Sequence, residues 1–145
     1  MTIRVRRLDH FGVDGADLDR AERFYTEVLG MTVEMRLPDQ RLLRYGDGNC
    51  ALFWKPDRTP GGLELIREPL GKSHHAFEVA WEDLDRARAL FRERGIPHHA
   101  PIDWGDHLCC YFLDPDGNLL ELVGFRPGGG QACERQAARP AGHGS

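Results

Sequence analysis

Lysine is almost missing from this chain. Lys55 and Lys72 are the whole supply, and arginine carries the rest of the positive charge. Basic residues number 19 against 23 acidic ones, a formal charge of −4. With no basic excess there is no electrostatic footprint for a nucleic acid. No apolar run approaches the ~18–20 residues of a membrane span. The basic residues 1–7 have no apolar stretch behind them, so a signal peptide is not expected. Cysteine is sparse. Cys50, Cys109, Cys110 and Cys133 form neither a C-x-x-C pair nor a secreted disulfide framework, and the cytosol is the expected compartment. What is present is a globular mix of 41% hydrophobic and 29% charged residues over 145 positions. That is the length of one domain with a core of its own.

The chain repeats itself. His10-Phe-Gly-Val precedes Asp17-Leu-Asp-Arg-Ala and Gly30; His74-His-Ala-Phe precedes Asp83-Leu-Asp-Arg-Ala and Gly95. A duplicated module is expected rather than a solenoid. Asp17 and Asp83 are N-cap candidates, Gly30 and Gly95 are C-cap candidates, and the apolar residues between them recur at helical spacing. Strand-like runs follow each helix: 31–37, 41–45 and 50–54, then 97–100, 108–113 and 119–123, with Asp-Gly-Asn turns at 47–49 and 116–118. The order is β-α-β-β-β, twice. Module 1 spans 3–56, a connector 57–72 and module 2 73–126, together one domain over 1–126. Residues 63–66 are a possible extra strand, and 127–145 read as a flexible tail.

Three residues occupy matching places in this frame. His10 and His74 begin equivalent strands, each with a small residue two positions on. Glu121 lies inside the apolar strand Leu119-Leu-Glu-Leu-Val123, where a carboxylate is costly unless paired or bound to metal. Singly, each has a plain structural reading. Together, two imidazoles and a carboxylate suit a divalent ion such as Fe(II), Mn(II), Zn(II) or Ni(II), with open positions left for substrate.

Leu-Asp-His10-Phe-Gly-Val, Phe24-Tyr-Thr-Glu-Val-Leu-Gly30, His74-His-Ala-Phe-Glu-Val79 and Tyr111-Phe-Leu-Asp-Pro-Asp-Gly-Asn-Leu-Leu-Glu121 resemble the vicinal oxygen chelate superfamily. That group holds glyoxalases, extradiol dioxygenases, fosfomycin-resistance enzymes and bleomycin-resistance proteins. The resemblance covers residues 3 to about 125. It implies an α+β fold in which two βαβββ modules form an incomplete barrel around a metal cleft. It also implies one divalent metal on His10, His74 and Glu121, a small oxygen-chelating substrate and a homodimer. His74 is selected over His75 because the ligand precedes x-Ala-Phe.

Aligning the two Asp-Gly-Asn turns sets Leu52 against Glu121, which argues against a glyoxalase's fourth ligand unless Glu64 folds inward. Gly12 and Pro101 stand where fosfomycin-resistance enzymes carry a threonine and a cation. Tyr111 to Glu121 matches the extradiol signature, so an extradiol-type dioxygenase acting on an aromatic or catecholic substrate is the leading expectation. A glyoxalase-like lyase, isomerase or thiol transferase, or a protein that sequesters an aromatic ligand, stands behind it. Tyr111 would meet the catechol oxygen and His107 would act as acid and base, with His98 or His99 as substitutes. The family's Gly-x-His lies well upstream of the tyrosine, whereas Gly105-Asp-His107 ends four residues before Tyr111. A four-residue hairpin loop would turn Tyr111 away from Glu121; a bulge at Gly117 would set them opposite. Trp104 is a candidate cavity wall, and Arg41 and Arg44 are candidate contacts for an anionic substrate.

Overall fold

Each Asp-Leu-Asp-Arg-Ala pentapeptide opens a helix that packs on its own four-stranded sheet. The computed structural model describes residues 1–128 and divides into two compact units, residues 1–62 with 114–118 and residues 63–113 with those from 119 on. The fold is α+β, and neither sheet closes on itself.

In the first unit, β1 (His10–Gly15), α1 (Leu18–Glu27), β2 (Thr32–Leu37), β3 (Gln40–Tyr45) and β4 (Gly48–Trp54) follow in chain order. The sheet runs β1-β4-β3-β2, with β1 parallel to β4 and the other pairs antiparallel. The Asp17 carboxylate accepts the Arg20 N–H at 3.0 Å and caps α1. The helix buries Leu18, Ala21, Phe24 and Tyr25, and each large apolar side chain so buried stabilises the fold by about 1.5–3 kcal/mol. Along β1, Phe11, Val13 and Gly15 are buried while His10 and Gly12 are exposed, the alternation of a strand with one packed face.

The loop of residues 114–118 completes this unit. Asp114 accepts four hydrogen bonds, from the N–H groups of Asp116 and Asn118, the Asn118 amide and the Tyr25 hydroxyl. Asp116 accepts from the Ala16 N–H and the Arg20 guanidinium, both at 2.9 Å. Both aspartates are buried. The turn residues therefore form a satisfied polar core rather than a solvated tip, apart from Asp116 Oδ2, which has no protein partner.

In the second unit, α2 (Glu64–Arg67) precedes β5 (His75–Glu78), α3 (Asp83–Glu93), β6 (Ile102–Asp103), β7 (His107–Leu113) and β8 (Leu119–Phe125). The strand order β5-β8-β7-β6 repeats that of the first sheet. Gly95 (φ +64°) ends α3 in a left-handed turn, with its N–H on the Arg92 carbonyl and the Ile96 N–H on that of Phe91, the Schellman arrangement. Phe91 stacks on Phe112 at 4.6 Å between ring centroids.

Three local expectations are corrected. Residues 63–66 do not add a strand. They enter the single helical turn α2, whose Ile66 joins the Cys109, Tyr111, Leu113 and Leu119 cluster. Asp83 is not an N-cap but the first helical residue of α3; its carboxylate pairs with Arg86 instead, and the cap position, Glu82, makes no side-chain bond. The stretch 97–100 holds one isolated bridge, His98 to Phe112, and the strand forms two residues after Ala100. Pro97 and Pro101 lack the N–H a ladder needs. The expected tail from residue 129 lies outside the described residues.

Candidate metal-binding site

The β7–β8 hairpin decides which side chains meet. Leu113 pairs with Leu119, which leaves residues 114–118 in the loop and sets Tyr111 directly opposite Glu121. Gly117 adopts φ +76° in that loop, a conformation available to glycine at no steric cost. The five-residue loop thus has the effect expected of a bulge. The matching β3–β4 turn is shorter, with Tyr45 paired to Gly48. That difference of length corrects the equivalence of Leu52 with Glu121. Ala51 pairs with Gly12 as Glu121 pairs with Ala76, and Leu52 turns into the core at 0% exposure. Alanine supplies no fourth ligand either.

His74 immediately precedes β5, and its Nε2 lies 2.8 Å from Glu121 Oε2. Its Nδ1 lies 2.7 Å from the Lys72 carbonyl. A carbonyl only accepts, so Nδ1 carries a proton. Between Nε2 and the carboxylate stands either a second proton, donated by the imidazolium, or a metal ion held by the Nε2 lone pair. Two ligand atoms at right angles on an ion with bonds near 2.1 Å stand about 3 Å apart, so the pair fits a shared cation. Glu121 is buried at 8% exposure. His75 falls on the opposite face of the sheet, paired with Leu120.

The Tyr111 ring meets the His74 ring edge-on, with centroids 5.1 Å apart. Burial, then the Glu121 charge, raises the Tyr111 phenol above its ordinary pKa, so its proton is retained at neutral pH. Cys109 lies on the same face of β7, two residues before Tyr111, and its sulfur accepts the Trp104 Nε1–H at 3.3 Å. Register makes it the diagonal neighbour of Glu121 across the β7–β8 pair.

His10 belongs to the first unit, at the exposed start of β1. Its Nδ1 lies 2.9 Å from Asp9 Oδ2, so Nε2 is the ring nitrogen turned away from that bond. Carboxylate or carbonyl partners on Nδ1 are the usual second support of metal-binding histidines, and His10 and His74 both have one. The hydrogen bond from His10, then the Arg7 charge, holds the Asp9 carboxyl below its usual range despite its exposure. Among the described residues, no three His, Cys, Asp or Glu side chains are gathered ready around one point.

The fold therefore brings together His74, Glu121 and Tyr111. His107 shares their face of β7 but stands four residues from Tyr111, about 13 Å along the strand. It is 2.6 Å from Asp106 and stacks on Trp104. His98 and His99 are hydrogen-bonded to the Ile96 and Ala100 carbonyls. Arg41 is mostly buried against Glu22, and Arg44 pairs with Glu34, so both are engaged in ion pairs. Cys109, which is not among the site residues expected from the sequence, shares this face, because positions 107, 109, 111 and 113 alternate onto it.

Two tandem βαβββ units with a His74–Glu121 pair at the second sheet, its carboxylate buried, define a class. The chain belongs to the Glyoxalase/Bleomycin resistance protein/Dioxygenase superfamily, whose profile matches residues 7–122. Among its relatives, biphenyl-2,3-diol 1,2-dioxygenase 3 of Rhodococcus globerulus is 32% identical over 120 residues, covering 80% of this chain and 62% of that protein. Glutathione transferase FosA of Serratia marcescens is 28% identical over 118 residues, covering 81% and 80%. Plant lactoylglutathione lyases also match, and the chain spans less than half of their length. In fold it is similar to the fosfomycin resistance protein FosX of Listeria monocytogenes (TM-score 0.71, 16% identity, covering 86% of this chain and 97% of that one). No helix among the described residues is long and apolar enough to cross a membrane.

Proposed function

We propose that this chain is a divalent-metal-dependent enzyme of the superfamily, acting on a small oxygen-chelating substrate by extradiol-type dioxygenation. The observation that carries the reading is the grouping of His74, Glu121 and Tyr111 on one face of the second sheet. His74 and Glu121 hold the ion through Nε2 and the carboxylate, and His10, from this chain or a second copy, supplies the third ligand. Fe(II) or Mn(II) suits this donor set, and Zn(II) or Ni(II) can occupy it. Once bound, such an ion supplies Lewis-acid or electron-transfer chemistry to adjacent substrate oxygens. Tyr111, keeping its phenolic proton, donates to a catechol oxygen and orients the ring. His107, at its distance from Tyr111, does not join this group, and no proton-transfer role is given to it.

A phosphonate substrate is poorly served. Any side chain at Gly12 would bring its Cβ to 2.7 Å from the Phe53 ring, so the position that fosfomycin-resistance enzymes give to threonine is closed without movement. The second reading is sequestration of an aromatic ligand without chemistry, for which the superfamily's bleomycin resistance proteins are the precedent.

The test is elemental analysis of protein purified without oxygen, beside His10→Ala and Glu121→Ala. About one iron or manganese per chain in the wild type, lost in both variants and accompanied by catechol-dependent oxygen uptake, is the expected result. Bound zinc or nickel without oxygen uptake moves the chemistry to a lyase or isomerase. No metal after reconstitution, with aromatic binding unchanged by a chelator, overturns the enzyme reading in favour of sequestration.

A further inference from the structure

We propose that Trp104 is a specificity-determining residue of the candidate site, its indole holding the second ring of a bicyclic aromatic whose oxygen-bearing ring is seated at His74, Glu121 and Tyr111. The inference rests on the metal-site reading above and deepens it by naming the shape of the substrate.

The turn that carries the indole is fixed. The Trp104 N–H donates to the His107 carbonyl at 3.0 Å, and Gly105 adopts φ +89° between them. Arg126 pins this turn from outside. Its N–H donates to the Asp106 carbonyl at 2.9 Å, and its guanidinium donates to the Gly105 carbonyl at 2.8 Å and to the Asp103 carboxylate at 2.7 Å. The same guanidinium sits 4.7 Å over the Trp81 ring. An aromatic side chain on so constrained a turn loses little freedom on binding, and preorganised aromatics give contact area at low entropic cost.

Two contacts place the ring. The indole Nε1–H donates to the Cys109 sulfur at 3.3 Å, and Cys109 is fully buried in the cluster that holds Tyr111. The indole therefore lies over the face of the second sheet that carries Tyr111. It runs nearly parallel to the His107 ring, at 18° with centroids 6.3 Å apart, yet the residue keeps 53% of its surface exposed. With its N–H bonded and part of the ring packed, the exposed remainder is π-surface, which favours a flat apolar group. Cys109 precedes Tyr111 by two residues on β7, about 7 Å along the strand. A single ring bound through its oxygens beside Tyr111 stops short of the indole. A second ring fused to it and extending along β7 reaches the indole.

The test measures binding by calorimetry, without oxygen, to the full chain loaded with Mn(II). Catechol and 2,3-dihydroxynaphthalene are compared on the wild type, Trp104→Phe, Trp104→Leu and Trp104→Ala, and melting of each protein controls for folding. The readout is the ratio of the two dissociation constants, because a merely structural role weakens both ligands alike. Trp104→Ala is expected to weaken the bicyclic ligand about 10-fold and catechol less than about twofold, with Trp104→Phe retaining part of the preference. Should Trp104→Ala fail to fold, Trp104→Leu, which keeps apolar cover over Cys109 and lacks a ring, carries the comparison. An unchanged ratio in the alanine or leucine variant, or a parallel loss for both ligands, overturns the assignment while the metal site stands. A Trp104-dependent preference that survives removal of the metal by a chelator supports the assignment and overturns the enzyme reading instead. If the wild type binds neither ligand, the site reading itself fails, and this inference with it.

Discussion

Replacing Tyr25 by phenylalanine removes one oxygen atom from the centre of the first unit. Tyr25 is 0% exposed and Asp114 is 4% exposed, and the hydroxyl donates to Asp114 Oδ2 at 2.8 Å. Burial pushes the Asp114 carboxyl above its usual range, against four hydrogen bonds that pull it down. The hydroxyl is therefore one of the groups that make a buried carboxylate tolerable at neutral pH. A hydrogen bond to a charged group is worth about 1.5–3 kcal/mol, and water cannot replace it at a site this enclosed. The ring itself keeps its packing on Phe24, 5.4 Å away between centroids, so no cavity term adds to the loss. For a chain of this size, 1 kcal/mol is about 2–4 °C in Tm, which puts the expected fall at about 3–12 °C. Urea denaturation followed by tryptophan fluorescence should show a lower midpoint with an unchanged m-value. A loss under about 0.5 kcal/mol would refute the reasoning, since values that small are typical of exposed positions.

Other expectations follow from the same loop and from the buried thiols. Gly117→Ala should destabilise by more than about 2 kcal/mol, because φ is +76° and the new Cβ would collide with the Gly61 backbone; an unchanged Tm would refute this. A carboxyl raised in the folded state contributes stability that is complete below its unfolded value, near 3.8 for Asp114, and is lost as pH rises through the folded value. The stability of the wild type relative to Asp114→Asn should therefore fall as pH rises from about 4 towards 7, and a flat difference would refute the assignment. Burial pushes Cys50 up to about 12 and Cys109 and Cys110 up to about 11. All three should resist a thiol reagent at pH 8 in the native protein and react once it is unfolded, as counted by absorbance; rapid native labelling of any of them by mass spectrometry would contradict their placement.

Much of the fold was legible because the repeat carries its own punctuation. An aspartate at the helix start, a helical stripe and a left-handed glycine occur twice, and they fixed the β-α-β-β-β order. Legibility failed where neighbours decide. Asp83 has the same local sequence as Asp17, yet its carboxylate takes the Arg86 guanidinium, whereas the equivalent Arg20 side chain goes to Asp116, and the cap is lost. Residues 63–66 are apolar enough for a strand, but Ile66 is drawn onto the Tyr111 and Leu113 face as a helical turn. At the site, the residue types were readable and the hairpin register was not. One residue of loop length separates Tyr111 facing Glu121 from Tyr111 facing away, and composition does not count loop residues. Asp114 and Asp116 read as turn formers, which they are. Nothing local marked them as buried partners of Tyr25 and Arg20, about 90 positions earlier.

The assignment of residues 114–118 to the first unit has a consequence for how the chain can be made and cut. A fragment ending at Gly62 contains every strand and helix of that unit, yet it encloses Tyr25 without its acceptor and leaves Arg20 and Arg58 without theirs. During synthesis, which proceeds from the N-terminus, those groups wait for Asn118 before the first half of the duplication is complete. The two halves of the duplication are thus no longer interchangeable parts. The first half does not encode its whole unit, and any recombination between the halves must carry this loop along.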